Sequence, residues 1–178
     1  MSGYCASDQT VKVLTRAPYW DYTELEPIWV QFQVDDVSEA TLRQHLDQQA
    51  EQMERTLRLG RRLYLIISAQ GAHRPSVEVR KLQAEWMEEN RELIARCSLG
   101  IGFVIDNSLV RGALTAIFWV SRPPVPYKVH STLGDAIDCA VAVCREQGVA
   151  LPDEALRPDA ALRAELALAR IMNRRIAL

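Results

Sequence analysis

The sequence predicts an α/β fold built on a mostly parallel sheet. Three short apolar runs of strand length, residues 63–68 (LYLIIS), 100–105 (GIGFVI) and 127–129 (YKV), are separated by segments of helix length. Consecutive strands that alternate with helices run parallel, because each helix crosses over the sheet to reach the next strand. We therefore expect a central sheet of about five strands with four crossover helices and a C-terminal helical extension.

Two further strands are predicted near the start of the chain. Residues 11–15 (VKVLT) and 28–34 (IWVQFQV) read as an opening pair of strands. Residues 16–27 between them carry two prolines, Trp20 and two tyrosines, which predicts an ordered loop over the core. The alternative for this segment is an aromatic contact surface for a partner or ligand, formed by Trp20 and Tyr22.

Four helices are predicted from apolar positions three and four residues apart. They cover residues 38–59, 75–97, 107–120 and 132–147, with Gly60 and Gly148 ending the first and the last and Pro75 at the first helical position of the second. The helix 107–120 is apolar on most sides, so we expect it to contact both the sheet and a further surface, such as another subunit. Residues 149–178 are predicted to form an added helix, whose narrow apolar stripe of Leu162, Leu166 and Ala169 could pack on its own domain or on a partner.

Length and composition favour one domain. The chain has 178 residues, of which 48% are hydrophobic, so we expect an N-terminal arm (1–10), one α/β domain (11–148) and the helical extension (149–178). A net charge of −2 argues against a nucleic-acid partner. The chain has no secretory signal pattern and no apolar run that could span a bilayer, so we expect a cytoplasmic protein with no membrane span.

The sequence contains few patterns that carry chemistry. Its four cysteines form no Cys-x-x-Cys pair, and His45 has no second ligand at metal spacing, so neither a metal nor another cofactor is predicted. It has no Gly-x-Ser-x-Gly elbow and no glycine-rich loop after a strand. We therefore expect a protein that is not an enzyme.

Polar residues follow two neighbouring strands of the predicted sheet. The carboxyl ends of parallel strands meet at one edge, where α/β folds usually place their sites. Asp106 is predicted to cap the helix that starts there. We expect an interaction or switch site made of close neighbours at this edge: His73, Arg74, Ser76, Asp106, Asn107, Ser108 and Arg111.

Three stretches resemble the STAS domain, the SpoIIAA-like fold of anti-sigma-factor antagonists, over about residues 11–147. They are SEATLRQHLDQQAEQMERTLRLGRRLYLII, GIGFVID and YKVHSTLGDAIDCAV. The resemblance implies a phosphorylatable switch serine at the start of the helix after the central strand, and Ser76 occupies that place. The chain departs from the family's Asp-Ser-Ser-Gly-Leu motif there, because AHRPSV has no Asp before Ser76 and no Gly-Leu after it.

Two hypotheses of function follow. The first is a non-catalytic signalling or scaffolding module that binds another protein through the Arg74/Ser76 edge and the apolar helix 107–120, with a homodimer as one form. The alternative is a binding domain for a small apolar or anionic ligand, held between the sheet and the aromatic segment around Trp20, as in lipid-carrier relatives of this general architecture.

Overall fold

The computed structural model describes residues 11–12, 19–33, 38–70 and 75–176. Six strands lie in this part of the chain: β1 (Val11–Lys12), β2 (Tyr19–Tyr22), β3 (Ile28–Gln33), β4 (Leu63–Ser68), β5 (Ser98–Val104) and β6 (Tyr127–His130). The α-helices there are α1 (Glu39–Arg58), α2 (Val77–Glu89), α3 (Arg91–Cys97), α4 (Ser108–Val120), α5 (Leu133–Glu146) and α6 (Ala160–Ile176), and a 3-10 helix covers Asp153–Leu156.

The strands form one sheet in sequence order, β1-β2-β3-β4-β5-β6. β1, β2 and β3 pair antiparallel, and β3, β4, β5 and β6 pair parallel. The predicted α/β class with a mostly parallel sheet is confirmed.

One strand was not expected. β2 lies within the segment predicted to be a loop, and it separates β1 from β3, so the two strands predicted to pair with each other do not. All four β2 residues are buried. Because both faces of β2 are covered, its side chains show no alternation of polar and apolar residues, which is the usual sign of a strand.

Each face of the sheet carries its own layer of helices. The strand order advances in one direction, so right-handed crossovers place α1, α2, α3 and α4 on the same face. Their core includes Leu42, Trp86 and Phe118. The opposite face is covered by α5 and α6, whose core includes Ile66 and Ile137.

Most helix ends follow the expected signals. Ser38 and Thr41 form a capping box at the start of α1. Gly60 and Gly148 follow α1 and α5 with φ of 67°, the left-handed conformation that glycine adopts without strain. Both glycines were predicted to end these helices.

The helix predicted over residues 75–97 is two helices. Asn90 separates α2 from α3, and its side-chain Nδ2 donates to the Trp86 carbonyl at 3.0 Å. Such a local hydrogen bond competes with the regular helical ladder. Pro75 precedes the helix cap, Ser76, and does not occupy the first helical position.

The C-terminal helix α6 packs on its own chain. Among the α6 side chains that the structure describes, the buried ones are Ala160, Ala164 and Ala167, which belong to the same core as α5. The stripe noted in the sequence does not face the domain, because its leucines, Leu162 and Leu166, are 56% and 49% exposed. Small alanines let α6 approach the domain closely, which a leucine stripe would not.

Candidate functional site

The predicted edge site is only partly described. Its residues His73 and Arg74 lie outside the described residues. Ser76 is exposed and caps α2, since its side-chain oxygen accepts a hydrogen bond from the Val79 N–H at 3.2 Å. Within the described chain, no hydrogen bond or ion pair joins Ser76 to the polar residues that follow β5.

The residues after β5 have mostly local roles. The cap of α4 is Asn107, and not the predicted Asp106, because Asn107 Oδ1 accepts from the Leu109 N–H at 2.8 Å. Arg111 Nη2 donates to the Ile105 carbonyl at 3.1 Å. Asp106, Asn107 and Ser108 are exposed. Ser76 and this group therefore begin neighbouring helices, and no hydrogen bond or ion pair links them within the described residues.

The aromatic residues proposed as contacts are buried. Trp20 is 7% exposed and Tyr22 is 1% exposed. Both belong to the core beneath α5 and α6. They are therefore not exposed as an outer contact surface.

Helix α4 carries a second apolar stripe that faces solvent. Its buried residues, such as Val110 and Ile117, pack on the sheet. On the outer side, Leu109 is 61%, Trp119 85% and Val120 75% exposed. Exposed apolar residues that cluster on one element mark interaction surfaces in soluble proteins.

A groove of about 310 Å³ lies between α4 and the edge strand β6. Two of its lining rings are in contact, since the ring centroids of Phe118 and Tyr127 are 4.6 Å apart. Phe118 also packs on Phe103 of β5, with ring centroids 5.5 Å apart. We call it the α4/β6 groove, and it is lined by Arg111, Leu114, Thr115, Phe118, Trp119, Arg122, Tyr127 and Val129.

Two arginines give the groove a positive charge. Arg111 and Arg122 are both exposed, and neither forms an ion pair with a carboxylate in the part of the chain that the structure describes. The turn that holds Arg122 is braced by Arg91, whose Nη2 donates to the Arg122 carbonyl at 3.2 Å and pairs with Glu88 at 2.7 Å. The hydrogen bond from Arg91, followed by that from Ser121, lowers the pKa of Glu88. The backbone that carries the Arg122 side chain is therefore held in place by hydrogen bonding.

Strand β6 offers backbone groups beside the groove. Among the described strands it has a neighbour on one side only. The carbonyls of Pro126 and His130 accept from β5. Because alternate residues of a strand point their backbone groups to opposite sides, the N–H and C=O groups of Tyr127 and Val129 point away from β5. Such an edge can pair with an added strand.

Sequence reasoning pointed to α4, with Trp119 among its apolar residues, as a contact helix, but it did not single out Arg122 and Tyr127 beside that helix. The available signal was the period of α4, since Leu109, Gly112, Ala116 and Trp119 repeat at three and four residues on the side opposite the core stripe. Nothing in the sequence places Tyr127 next to that helix, because the contact depends on the pairing of β6 with β5.

Two further features are absent from the described residues. These residues contain no group of three or more His, Cys, Asp or Glu side chains that could hold a metal ion. None of the helices in this part of the chain is long and apolar enough to cross a membrane.

Together, the fold and the groove define an α/β domain with an exposed aromatic and basic surface at one edge of its sheet. The chain matches no protein-family model, and neither a curated protein nor a solved structure matches it.

Proposed function

We propose that this protein is a non-catalytic interaction module of the cytosol that binds an extended segment of another protein at the α4/β6 groove. The observation that carries the proposal is the position of Trp119, which is 85% exposed at the rim of a groove beside an open strand edge. Exposed Trp and Arg residues around a concave site are the residue types that dominate binding energy at protein interfaces.

The groove favours one mode of binding. An extended segment can pair with the outward backbone groups of Tyr127 and Val129, while one of its apolar side chains enters the groove beside Trp119. Strand addition supplies main-chain hydrogen bonds, and the pocket supplies selectivity. Arg111 and Arg122 favour a segment that carries Asp or Glu next to its apolar anchor.

The same charges argue against a second copy of the chain as the occupant. A two-fold dimer places the same surface on both sides of the interface. Arg111 and Arg122 of one copy would then face those of the other across a common surface, and like charges at close range weaken association. We therefore propose a different, acidic partner, and a homodimer is an outcome that the experiment below can detect.

Regulation at Ser76 is part of the same proposal. Ser76 is exposed at the first turn of α2, where backbone N–H groups and the helix dipole favour a phosphate. The resemblance of the sequence to STAS domains implies a switch serine at the start of the helix after the central strand, and Ser76 caps α2, the helix that follows β4. Helix α2 packs against α4, so a change at the start of α2 has a physical route to the groove.

The proposal is tested by affinity purification of the tagged full chain from its native cells, with quantitative mass spectrometry. The comparison uses the wild type, Trp119→Glu and the double variant Arg111→Glu/Arg122→Glu. Leu162→Glu serves as the matched control, because Leu162 is also an exposed apolar helix residue but lies on α6. We expect one stoichiometric partner whose recovery falls at least about tenfold in both groove variants and is unchanged in the control.

Salt dependence provides a second check with the purified partner. The affinity of the partner for the wild type should fall as the salt concentration is raised, because exposed charge pairs are screened. The proposal would be contradicted if the wild type and all of these variants recovered the same amount of the partner. It would also be contradicted if recovery fell as much in Leu162→Glu as in the groove variants. A wild-type dimer that Trp119→Glu converts to a monomer in sedimentation would assign the groove to a second copy and overturn the choice of an acidic partner.

A further inference from the structure

Helix α6 presents a narrow apolar stripe to solvent, on the side opposite its buried alanines. Leu162 and Leu166 are 56% and 49% exposed, and Ala169, the next residue of the stripe, is also exposed. Intervals of four and three residues place these three side chains along one line of the helix. This is the spacing of the a and d positions through which two helices pair along a seam. The stripe therefore suits a helix of another chain.

Charges of opposite sign border this stripe on its two sides. Glu165 and Arg170 are both exposed, and neither forms an ion pair with another residue that the structure describes. They are five residues apart, which places them on opposite flanks of the stripe in a helix with 3.6 residues per turn. Arg163 is already used, because it pairs with Glu24 of its own chain at 3.2 Å. Among the described charges of α6, Glu165 and Arg170 thus remain for a partner.

The positions of these two charges favour a second copy of α6 in parallel orientation. If Leu162 and Ala169 occupy position d of a heptad and Leu166 occupies position a, Glu165 falls at g and Arg170 at the following e. In a parallel pair of helices, g of one chain faces the following e of the other, so opposite charges meet on both sides. In an antiparallel pair each flank faces the same flank of the other chain, so acid would face acid.

We propose that the chain forms a two-fold homodimer in which α6 pairs in parallel with α6 of a second copy along the stripe, and Glu165 of each copy pairs with Arg170 of the other. The two-fold axis makes both ion pairs equivalent. The seventeen residues of α6 span about 25 Å, so the interface is small and the dimer weak. Helix α6 contacts β2, far from β6 in the sheet, so the dimer leaves the α4/β6 groove open.

Sedimentation equilibrium of the full chain, at concentrations up to about 1 mM, tests the proposal. We expect a monomer–dimer equilibrium whose dissociation constant rises at least about tenfold in Glu165→Arg and in Arg170→Glu, because each change creates two like-charge pairs. The double variant Glu165→Arg/Arg170→Glu should recover the wild-type constant, since it exchanges the two charges. Glu51→Arg is the matched control, because Glu51 is an exposed glutamate of α1 and the change in net charge is the same.

Cysteine crosslinking tests the direction of the two helices. In a parallel pair each stripe residue lies opposite the same residue of the other copy. Leu162→Cys and Ala169→Cys should therefore each form a disulfide between two chains under oxidising conditions. The two positions are about 10 Å apart along the helix, so an antiparallel pair could bring only one of them next to its own copy. The wild type, treated in the same way, reports any contribution of the native cysteines.

Three results of sedimentation overturn the proposal: a wild type that stays monomeric over this range, a dimer that Glu165→Arg leaves unchanged, and a double variant that stays as weak as the single ones. The absence of either disulfide would reject the parallel arrangement. Failure here is distinguishable from failure of the proposed function. We expect Leu162→Glu to lose the dimer and keep the groove partner, and Trp119→Glu to lose the groove partner and keep the dimer.

Discussion

The imidazole of His45 stacks on the ring of Tyr19, with the ring centroids 3.7 Å apart and the planes 13° apart. This contact joins helix α1 to strand β2, which the sequence did not reveal as a strand. Both side chains are almost fully buried, and burial raises the pKa of Tyr19. The pair is therefore neutral on both sides at physiological pH.

The buried imidazole makes stability depend on pH. His45 titrates near 6.5 when unfolded and near 4 when folded, so the unfolded state binds more protons between these values. Its contribution is fully present above pH 6.5 and is lost as the pH falls toward 4. We expect the free energy of unfolding of the wild type to fall by up to about 3 kcal/mol more than that of His45→Phe between pH 7 and pH 4. Urea denaturation at both pH values measures this difference, and parallel losses in the two proteins would contradict it.

Truncation of Trp86 should lower the stability of the protein much more than truncation of Trp119. Trp86 is 8% exposed in the core beneath α2, whereas Trp119 is 85% exposed. We expect Trp86→Ala to lower the free energy of unfolding by about 3–5 kcal/mol, because it leaves a large cavity. Trp119→Ala should change it by less than about 0.5 kcal/mol. Denaturant unfolding compares the two, and similar losses would mean that one of these helices faces the other way.

Two alanines of α6 test how the C-terminal helix packs. Ala164 is fully buried against the domain, and Ala169 on the same helix is exposed. Ala164→Leu should destabilise the protein by about 1–3 kcal/mol through overpacking. Ala169→Leu serves as the control and should be nearly neutral. Thermal unfolding of both variants decides the orientation of α6, since the reverse result would support the stripe predicted from sequence.

Substitutions of Ser76 distinguish a role as a helix cap from a role as a regulatory switch. Its side chain accepts from the Val79 N–H, so Ser76→Ala should lower stability by about 1 kcal/mol. Ser76→Asp should keep the stability, because Asp also caps helices and its charge suits a helix start. If Ser76 also regulates the groove, Ser76→Asp should change the affinity for the partner recovered through Trp119. Equal affinity for Ser76→Asp and the wild type would rule out the switch and leave the cap.

Several features of the fold could be predicted because the signals are local. β4 covers residues 63–68 as predicted, since an apolar run that is buried on both faces reads directly as a strand. Gly60 and Gly148 stop their helices because few other residues adopt a positive φ without strain. Such properties depend on a few neighbouring residues, so they can be read along the chain.

Other features depend on what packs against what. β2 was missed because its aromatic residues are buried on both faces, and residue type alone does not separate that environment from an ordered loop. The face of α6 that packs on the domain could not be read from the sequence, because leucine is more apolar than alanine, although the close approach to α5 requires the smaller Ala164. In both cases the fit between packed surfaces determined the structure, and the hydrophobicity of the residues did not reveal it.

The sequence by itself determined the class of fold, the parallel strand order from β3 to β6, most helix limits and the outward apolar character of α4. Only the tertiary structure decided that Trp119 and Tyr127 border one groove and that His45 of α1 stacks on Tyr19 of β2. Periodicity reports which side of an element is apolar, because that depends on residues one turn or one pleat apart. It does not report which element is placed opposite, because strand pairing and helix packing join residues that are far apart in the chain.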